Sequence, residues 1–126
     1  ADLPGVIAEH DIGLALEDPS IVNRDLTITN KILQYLNTGL AVVATPTAGQ
    51  REVLAHDPEA GIILDLDQAD ASGSLRELTA DRVRLKARRN AARRLAETRY
   101  HWEREEATLL AVVAQSLGIP KPDLAR

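Results

Sequence analysis

The sequence contains no cysteine, no methionine and no phenylalanine, and its net charge is −4. Without cysteine the chain forms no disulfide and offers no thiolate to a metal, a composition that fits the cytoplasm. No apolar run approaches the roughly 20 residues that a membrane-spanning helix needs. General nucleic-acid binders usually carry a basic excess, which this chain lacks. These absences predict no metal site, no membrane span and no nucleic-acid partner.

The residues that are present predict one compact domain with an aliphatic core. The length of 126 residues fits a single domain, and 44% of the residues are hydrophobic. Ala, Val, Leu and Ile supply nearly all of that hydrophobic content, which suits helices packed on a parallel sheet. We expect the domain to span residues 1–118 and residues 119–126 to form a tail.

Apolar periodicity divides the chain into alternating strands and helices. Three continuous apolar runs are typical of buried strands: Asp11–Leu16, Leu40–Thr45 and Gly61–Leu66. Helical spacing fills the rest of the chain: Leu3–Glu9, Thr27–Leu36, Gln50–His56, Ser74–Leu78, Asp81–Arg99 and Glu103–Leu117. A polar loop, Glu17–Asn23, follows the first strand. This order predicts an α/β fold with a partial Rossmann-like parallel sheet of about three strands, flanked by helices and ending in a helical tail.

Ligands of open parallel sheets bind beyond the carboxyl ends of the strands. Three segments are expected to meet there: Glu17–Thr29, Thr45–Glu52 and Asp65–Asp70. The first leads into a helix whose free amides and dipole favour an anion such as phosphate. Lys31 adds a positive charge, and Gln34 lies one turn further on. Ordinary helix capping is the alternative explanation, and local features alone favour it for the first two segments.

Several short motifs occur in a characteristic order between residues 23 and 54. They are Asn30-Lys31, Gln34-Tyr35, Asn37-Thr38, Gly39–Ala44 and Gly49–Glu52. The flanking segments His10–Leu14 and Tyr100–Glu103 agree with the same pattern. In this order and spacing the chain resembles the group-1 retaining glycosyltransferases of the GT-B fold. The matching part is the carboxyl-terminal portion of their donor-binding domain.

The resemblance implies a nucleotide sugar as substrate, with no separate cofactor, and retained configuration on transfer to an unknown acceptor. The helix start is then expected to face the donor diphosphate, and no catalytic residue is predicted. Gln34 stands where the family usually has a glutamate that binds the ribose hydroxyls. The family's second acidic position falls on Leu26, with Asp25 as the nearest acid. The expected donor-binding set is Asp25, Thr27, Ile28, Thr29, Asn30, Lys31, Gln34, Gly49, Gln50 and Glu52.

The departures at Gln34 and Leu26 support an alternative, a non-catalytic glycosyltransferase-like domain used for interaction or assembly. An unrelated flavodoxin-like binding domain is a further alternative, but it would want an acidic pocket or a glycine-rich loop after the first strand. The family pattern also implies a missing amino-terminal part of the enzyme. Without it, the strand Asp11–Leu16 is an open edge through which the chain is expected to form a homo-oligomer.

The helix Asp81–Arg99 carries an unusual number of basic residues. They are expected to form a solvated outer face, and docking on the inner face of an anionic membrane is the alternative. Trp102 is expected to anchor the last helix in the core.

We expect this chain alone to catalyse no sugar transfer, because catalysis in this class depends on neutralising the leaving diphosphate and the clamp residues for it lie in the missing part. Coupled detection of released nucleoside diphosphate, with several nucleotide sugars, checks this. Robust turnover with any of them would contradict it.

Overall fold

The computed structural model describes residues 2–68 and 70–120 of the chain. Within these ranges it contains three strands, seven α helices and one 3-10 turn. The strands are β1 (Ile12–Ala15), β2 (Ala41–Ala44) and β3 (Gly61–Ile63). The helices are α1 (Leu3–Ala8), α2 (Val22–Leu26), α3 (Asn30–Thr38), α4 (Ala48–Ala55), α5 (Ala71–Ala80), α6 (Arg82–Arg99) and α7 (Trp102–Leu117), and the 3-10 turn is Pro58–Ala60. The predicted α/β fold is confirmed.

The three strands form one parallel sheet in the order β1-β2-β3. Ile12 lies opposite Ala41 in the first pair, and Val42 lies opposite Gly61 in the second. Every residue of β2 is buried, as expected for the central strand of a sheet covered on both faces. All three strands therefore end at the same rim.

Helices cover both faces of the sheet. On one face Val42 and Ala44 contact the apolar sides of α3, α4 and α6 through Ile32, Leu36, Val53, Ala92 and Leu95. On the other face Ala41 and Val43 contact Leu64, Leu78 and Leu85. The small residues of β2 let the helices approach closely, which explains how a core with no phenylalanine or methionine is filled.

Helix α3 begins and ends close to the residues that the sequence predicted. Thr29 precedes it in an extended conformation, and Gly39 ends it in the left-handed conformation with φ of 72°. A side chain at that φ is strained, so glycine suits the position.

The short helix α2 was not predicted, because it lies across the end of the loop expected at Glu17–Asn23. Its five residues include no buried one, so no apolar periodicity marks it. A tertiary contact holds it: the Asp25 carboxylate accepts a hydrogen bond of 2.8 Å from the Ala48 amide at the start of α4.

The basic face of α6 is only partly solvated. The prediction that its basic residues are solvated is wrong for two of them. Arg88 is buried and donates to the Gly61 carbonyl at 2.9 Å. Arg89 donates to the Gly39 carbonyl at 2.9 Å and pairs with the Asp11 carboxylate. These guanidinium groups hold α6 against the beginnings of the strands.

Helix α7 packs loosely on the rest of the chain. Ala114 is its only buried residue. Trp102 is 63% exposed, so the expectation that it anchors α7 in the core is wrong. Residues 121–126 of the predicted tail lie outside the described residues. No helix in the described ranges combines the length and apolarity needed to cross a membrane.

Strand β1 is an edge of the sheet among the described residues. The Asp11 and Ala15 carbonyls accept hydrogen bonds from the β2 segment, so the intervening Ile12 and Leu14 direct their backbone groups outward. Leu14 is 50% exposed and Leu16 38%. An apolar edge of this kind pairs readily with another strand.

We expect the chain to associate through β1 as its concentration rises from micromolar to millimolar. Leu14→Lys should prevent association, because a charge on an edge strand opposes pairing. Leu109→Lys, which changes an equally exposed leucine on α7, is the matched control. Light scattering measures the mass. A monomer at every concentration, or loss of association only in Leu109→Lys, would rule the edge out.

Candidate functional site

A cavity of about 420 Å³ lies at the rim where the three strands end. Each of the three segments expected there contributes to its lining. Glu17, Asp18 and Arg24 come from the segment after β1; Thr45 and Pro46 follow β2; Asp65 and Asp67 follow β3. The parallel topology therefore assembles one pocket from residues that are far apart in sequence.

Glu17 is the most buried charged group of this pocket, with 5% of its side chain exposed. The Thr45 hydroxyl fixes its backbone, accepting from the Glu17 amide at 2.8 Å and donating to the Glu17 carbonyl at 2.7 Å. This double contact ties the chain after β1 to the end of β2. Because both backbone groups of Glu17 are held, its carboxylate has a defined position in the pocket.

Two cations hold the Glu17 carboxylate. Lys31 Nζ lies 2.7 Å from one carboxylate oxygen, and Arg24 Nη1 lies 3.4 Å from the other. Both cationic side chains stay about half exposed, at 48% and 54%. Since an ammonium has three donors and a guanidinium five, each retains free donors toward solvent.

Most of the ionic groups that line the pocket are carboxylates. Its lining contains the acids Glu17, Asp18, Asp65 and Asp67, and one cation, Arg24. The Ser20 hydroxyl and then its backbone N–H donate to Asp18, and these bonds hold the pKa of Asp18 below its ordinary value. The pocket is therefore acidic, and an anion binds favourably only where it can contact Lys31 and Arg24.

The amino terminus of α3 is linked to this pocket by Lys31, whose ammonium pairs with Glu17. No side chain in the described ranges caps it. The Thr29 hydroxyl oxygen is buried and has no hydrogen-bond partner among the described residues. Free amides at a helix start, next to a cation such as Lys31, favour a negatively charged ligand.

The start of α4 interlocks with the segment before α3. The Thr47 hydroxyl accepts from the Gln50 amide at 3.3 Å. A Cβ at Gly49 would lie 2.5 Å from the Thr27 carbonyl oxygen, so only glycine allows this approach. Together with the Asp25–Ala48 bond, this contact brings Asp25, Thr27 and Gly49 together.

Gln50 is wholly buried within this interlocked region. Neither its side-chain oxygen nor its nitrogen has a partner among the described residues. An unsatisfied buried amide costs about 1–3 kcal/mol of stability. A buried group of this cost points to a role beyond filling the core.

The other predicted residues lie elsewhere. Asn30 and Gln34 line a separate groove of about 230 Å³ between α3 and α1. Ile28 packs against the core. Glu52 is exposed on α4 and helps burial to raise the pKa of Tyr100 above its ordinary value. The predicted residues are therefore divided between the rim, the α1–α3 groove, the core and α4.

Sequence reasoning did not single out Glu17, Asp18 or Arg24. A usable signal was present, because Glu17 follows β1 just as Thr45 follows β2 and Asp65 follows β3. Only the tertiary structure shows that Lys31 pairs with Glu17, fourteen positions earlier in the chain.

In the described part of the chain, no group of three or more His, Cys, Asp or Glu side chains is arranged to hold a metal ion. Comparison of the chain with protein-family models, with curated proteins and with solved structures found no significant match. The class of protein that the structure establishes is an α/β protein with a parallel sheet.

Glu17→Gln should lower the free energy of unfolding by about 1 kcal/mol, because it removes two half-exposed ion pairs. Urea unfolding followed by far-UV circular dichroism measures the change. Glu97→Gln, at an exposed position of α6, is the control and should have little effect. The difference should shrink in high salt, which screens the pairs. A variant as stable as the native chain would contradict the stabilising role of these pairs.

Proposed function

We propose that this chain is the later part of the donor-binding domain of a retaining GT-B glycosyltransferase. Its role is to hold the diphosphate of a nucleotide sugar at the rim. One observation carries the proposal. The start of α3 has no side-chain cap among the described residues, and Lys31 in its first turn extends its ammonium to Glu17 in the rim pocket. Amides, a helix dipole and a cation in one place are the groups that bind a pyrophosphate.

In this proposal Glu17 holds the two cations in place until the donor arrives. The diphosphate takes over the free donors of Lys31 and Arg24 and accepts hydrogen bonds from the amides of Asn30 and Lys31. Charge-assisted bonds of this kind are stronger than neutral ones. The other carboxylates of the pocket, Asp18, Asp65 and Asp67, are left to accept hydrogen bonds from sugar hydroxyls.

The open edge of the sheet supports the idea that the chain is one part of a larger donor domain. Leu14 in β1 is 50% exposed and Leu16, just after it, is 38% exposed. Among the described residues no further strand pairs with this edge, and the Tyr35 hydroxyl donates to the Leu14 carbonyl at 3.5 Å. The amino-terminal part of the enzyme is proposed to add its first strand there. The whole enzyme is proposed to act in the cytoplasm on an acceptor of unknown identity.

A second candidate is a non-catalytic interaction or assembly domain of the same fold. The acidic lining of the rim pocket favours it, since Glu17 already neutralises the cations that a donor needs. The position of Gln34 in the α1–α3 groove favours it as well. If the chain has this second function, no nucleotide binds at the rim.

Titration of the isotopically labelled chain with UDP and with GDP, followed by amide chemical shifts, distinguishes the two. The proposal expects saturable shifts at residues 29–31 and 45–50. Lys31→Ala should weaken binding about tenfold to a hundredfold, the effect of losing one charge-assisted hydrogen bond. Glu17→Gln should tighten it, because the diphosphate no longer competes with the Glu17 carboxylate for Lys31 and Arg24.

Arg76→Ala, an exposed arginine on α5, is the matched control and should leave the affinity unchanged. Equal affinities in the native chain and Lys31→Ala would contradict a diphosphate at this helix start. Absence of any shift at the rim with both nucleotides would favour the interaction domain.

A further inference from the structure

A second concave surface lies at the opposite end of the sheet, where the strands begin. It is a groove of about 410 Å³ between α6 and the residues that precede β1 and β2. The side chains that line it are those of Asp11, Thr38, Arg82, Leu85, Lys86, Arg89, Asn90 and Arg93, with Gly39 at its floor. We call it the basic groove.

The basic groove holds four cationic side chains and one carboxylate. Asp11 pairs with Arg89 and, at 3.7 Å, with Arg82. Lys86 makes no ion pair with any described residue. An excess of three positive charges therefore faces this one groove in a chain whose net charge is −4.

The spacing of these cations is unfavourable for the helix itself. Arg82, Lys86, Arg89 and Arg93 recur every three or four residues, so they form one stripe on α6. Like charges at these spacings destabilise a helix. Arg89 is explained by its bond to Gly39, and Arg93 reaches the Thr38 carbonyl only at 3.5 Å. Arg82 and Lys86 have no comparable structural role.

The Arg93 guanidinium covers the floor of the groove at Gly39. Gly39 has no side chain, and a Cβ there would lie 3.2 Å from Arg93 Nε. The Arg93 guanidinium therefore lies over bare backbone. Arg82, with 84% of its side chain exposed, and Lys86 flank this position. The groove that these side chains line, at about 410 Å³, is large enough for a phosphate group.

We propose that the basic groove is a binding site for a phosphate group carried by a small anion, such as a diphosphate or the headgroup phosphate of a lipid. Arg82, Lys86 and Arg93 supply the charge-assisted hydrogen bonds. Asn90 supplies a neutral donor. Asp11 is the competing anion that occupies part of the cation set in the free chain. This site lies at the amino ends of the strands, so it does not depend on the donor site proposed at the rim.

The first arm of the test titrates inorganic pyrophosphate into the chain by calorimetry, with amide shifts to locate the site. Arg82→Ala/Lys86→Ala should weaken binding at least about tenfold, because two charged donors are lost. Arg76→Ala/Arg99→Ala removes the same charge from exposed positions outside the groove and should leave binding nearly unchanged. Asp11→Asn should tighten binding by removing the competing carboxylate.

The second arm measures co-sedimentation with phosphatidylcholine vesicles that contain phosphatidic acid. Vesicle binding that is lost in Arg82→Ala/Lys86→Ala, alongside pyrophosphate binding, identifies a lipid headgroup as an accepted source of the phosphate. Pyrophosphate binding without vesicle binding identifies a soluble ligand. Either result supports the proposal.

Three results would overturn it. Pyrophosphate binding could be undetectable, or both double variants could weaken it equally. Vesicles could bind while pyrophosphate does not, which would indicate diffuse attraction to a charged surface. Tightening in Asp11→Asn keeps the test decisive if the double variant proves unstable, since no tightening there argues against a site in the groove.

Discussion

The burial of β2 on both faces is the constraint on which the rest of this structure depends. A parallel strand covered on both sides must have neighbours on both edges and helices above and below it. Parallel pairing brings all three strand ends to one rim and all three strand beginnings to the other. The rim pocket and the basic groove are concave surfaces at opposite ends of the sheet.

The two surfaces carry charge of opposite sign for physical reasons. At the rim, Glu17 is held by a threonine hydroxyl and gathers Lys31 and Arg24 around a buried carboxylate. At the other end, the arginines of α6 hold the beginnings of the strands and the carbonyls that end α3. At the rim, an anion must therefore displace Glu17 to reach the cations. In the basic groove, cations outnumber the single carboxylate.

Periodicity predicted the fold well because strands and helices in this chain are short, regular and clearly apolar on their buried sides. The ends of α3 followed from local chemistry, as Gly39 illustrates. The site was harder to predict. Asp25 and Gly49 act through contacts between segments more than twenty residues apart. Glu17 belongs to the site because it forms an ion pair with Lys31, fourteen positions later in the chain. Such contacts cannot be predicted from the pattern of a single sequence. The sequence therefore predicted Gln34 at the rim, whereas Gln34 lines a groove against α1.

A crystal structure of the chain with a bound nucleoside diphosphate would show directly whether the start of α3 holds the donor. Diphosphate oxygens should lie within hydrogen-bond distance of the first amides of α3, with the Lys31 ammonium moved from Glu17 to the phosphate. A diphosphate found only between α6 and Gly39, with the Lys31–Glu17 pair intact, would contradict a donor site at the start of α3.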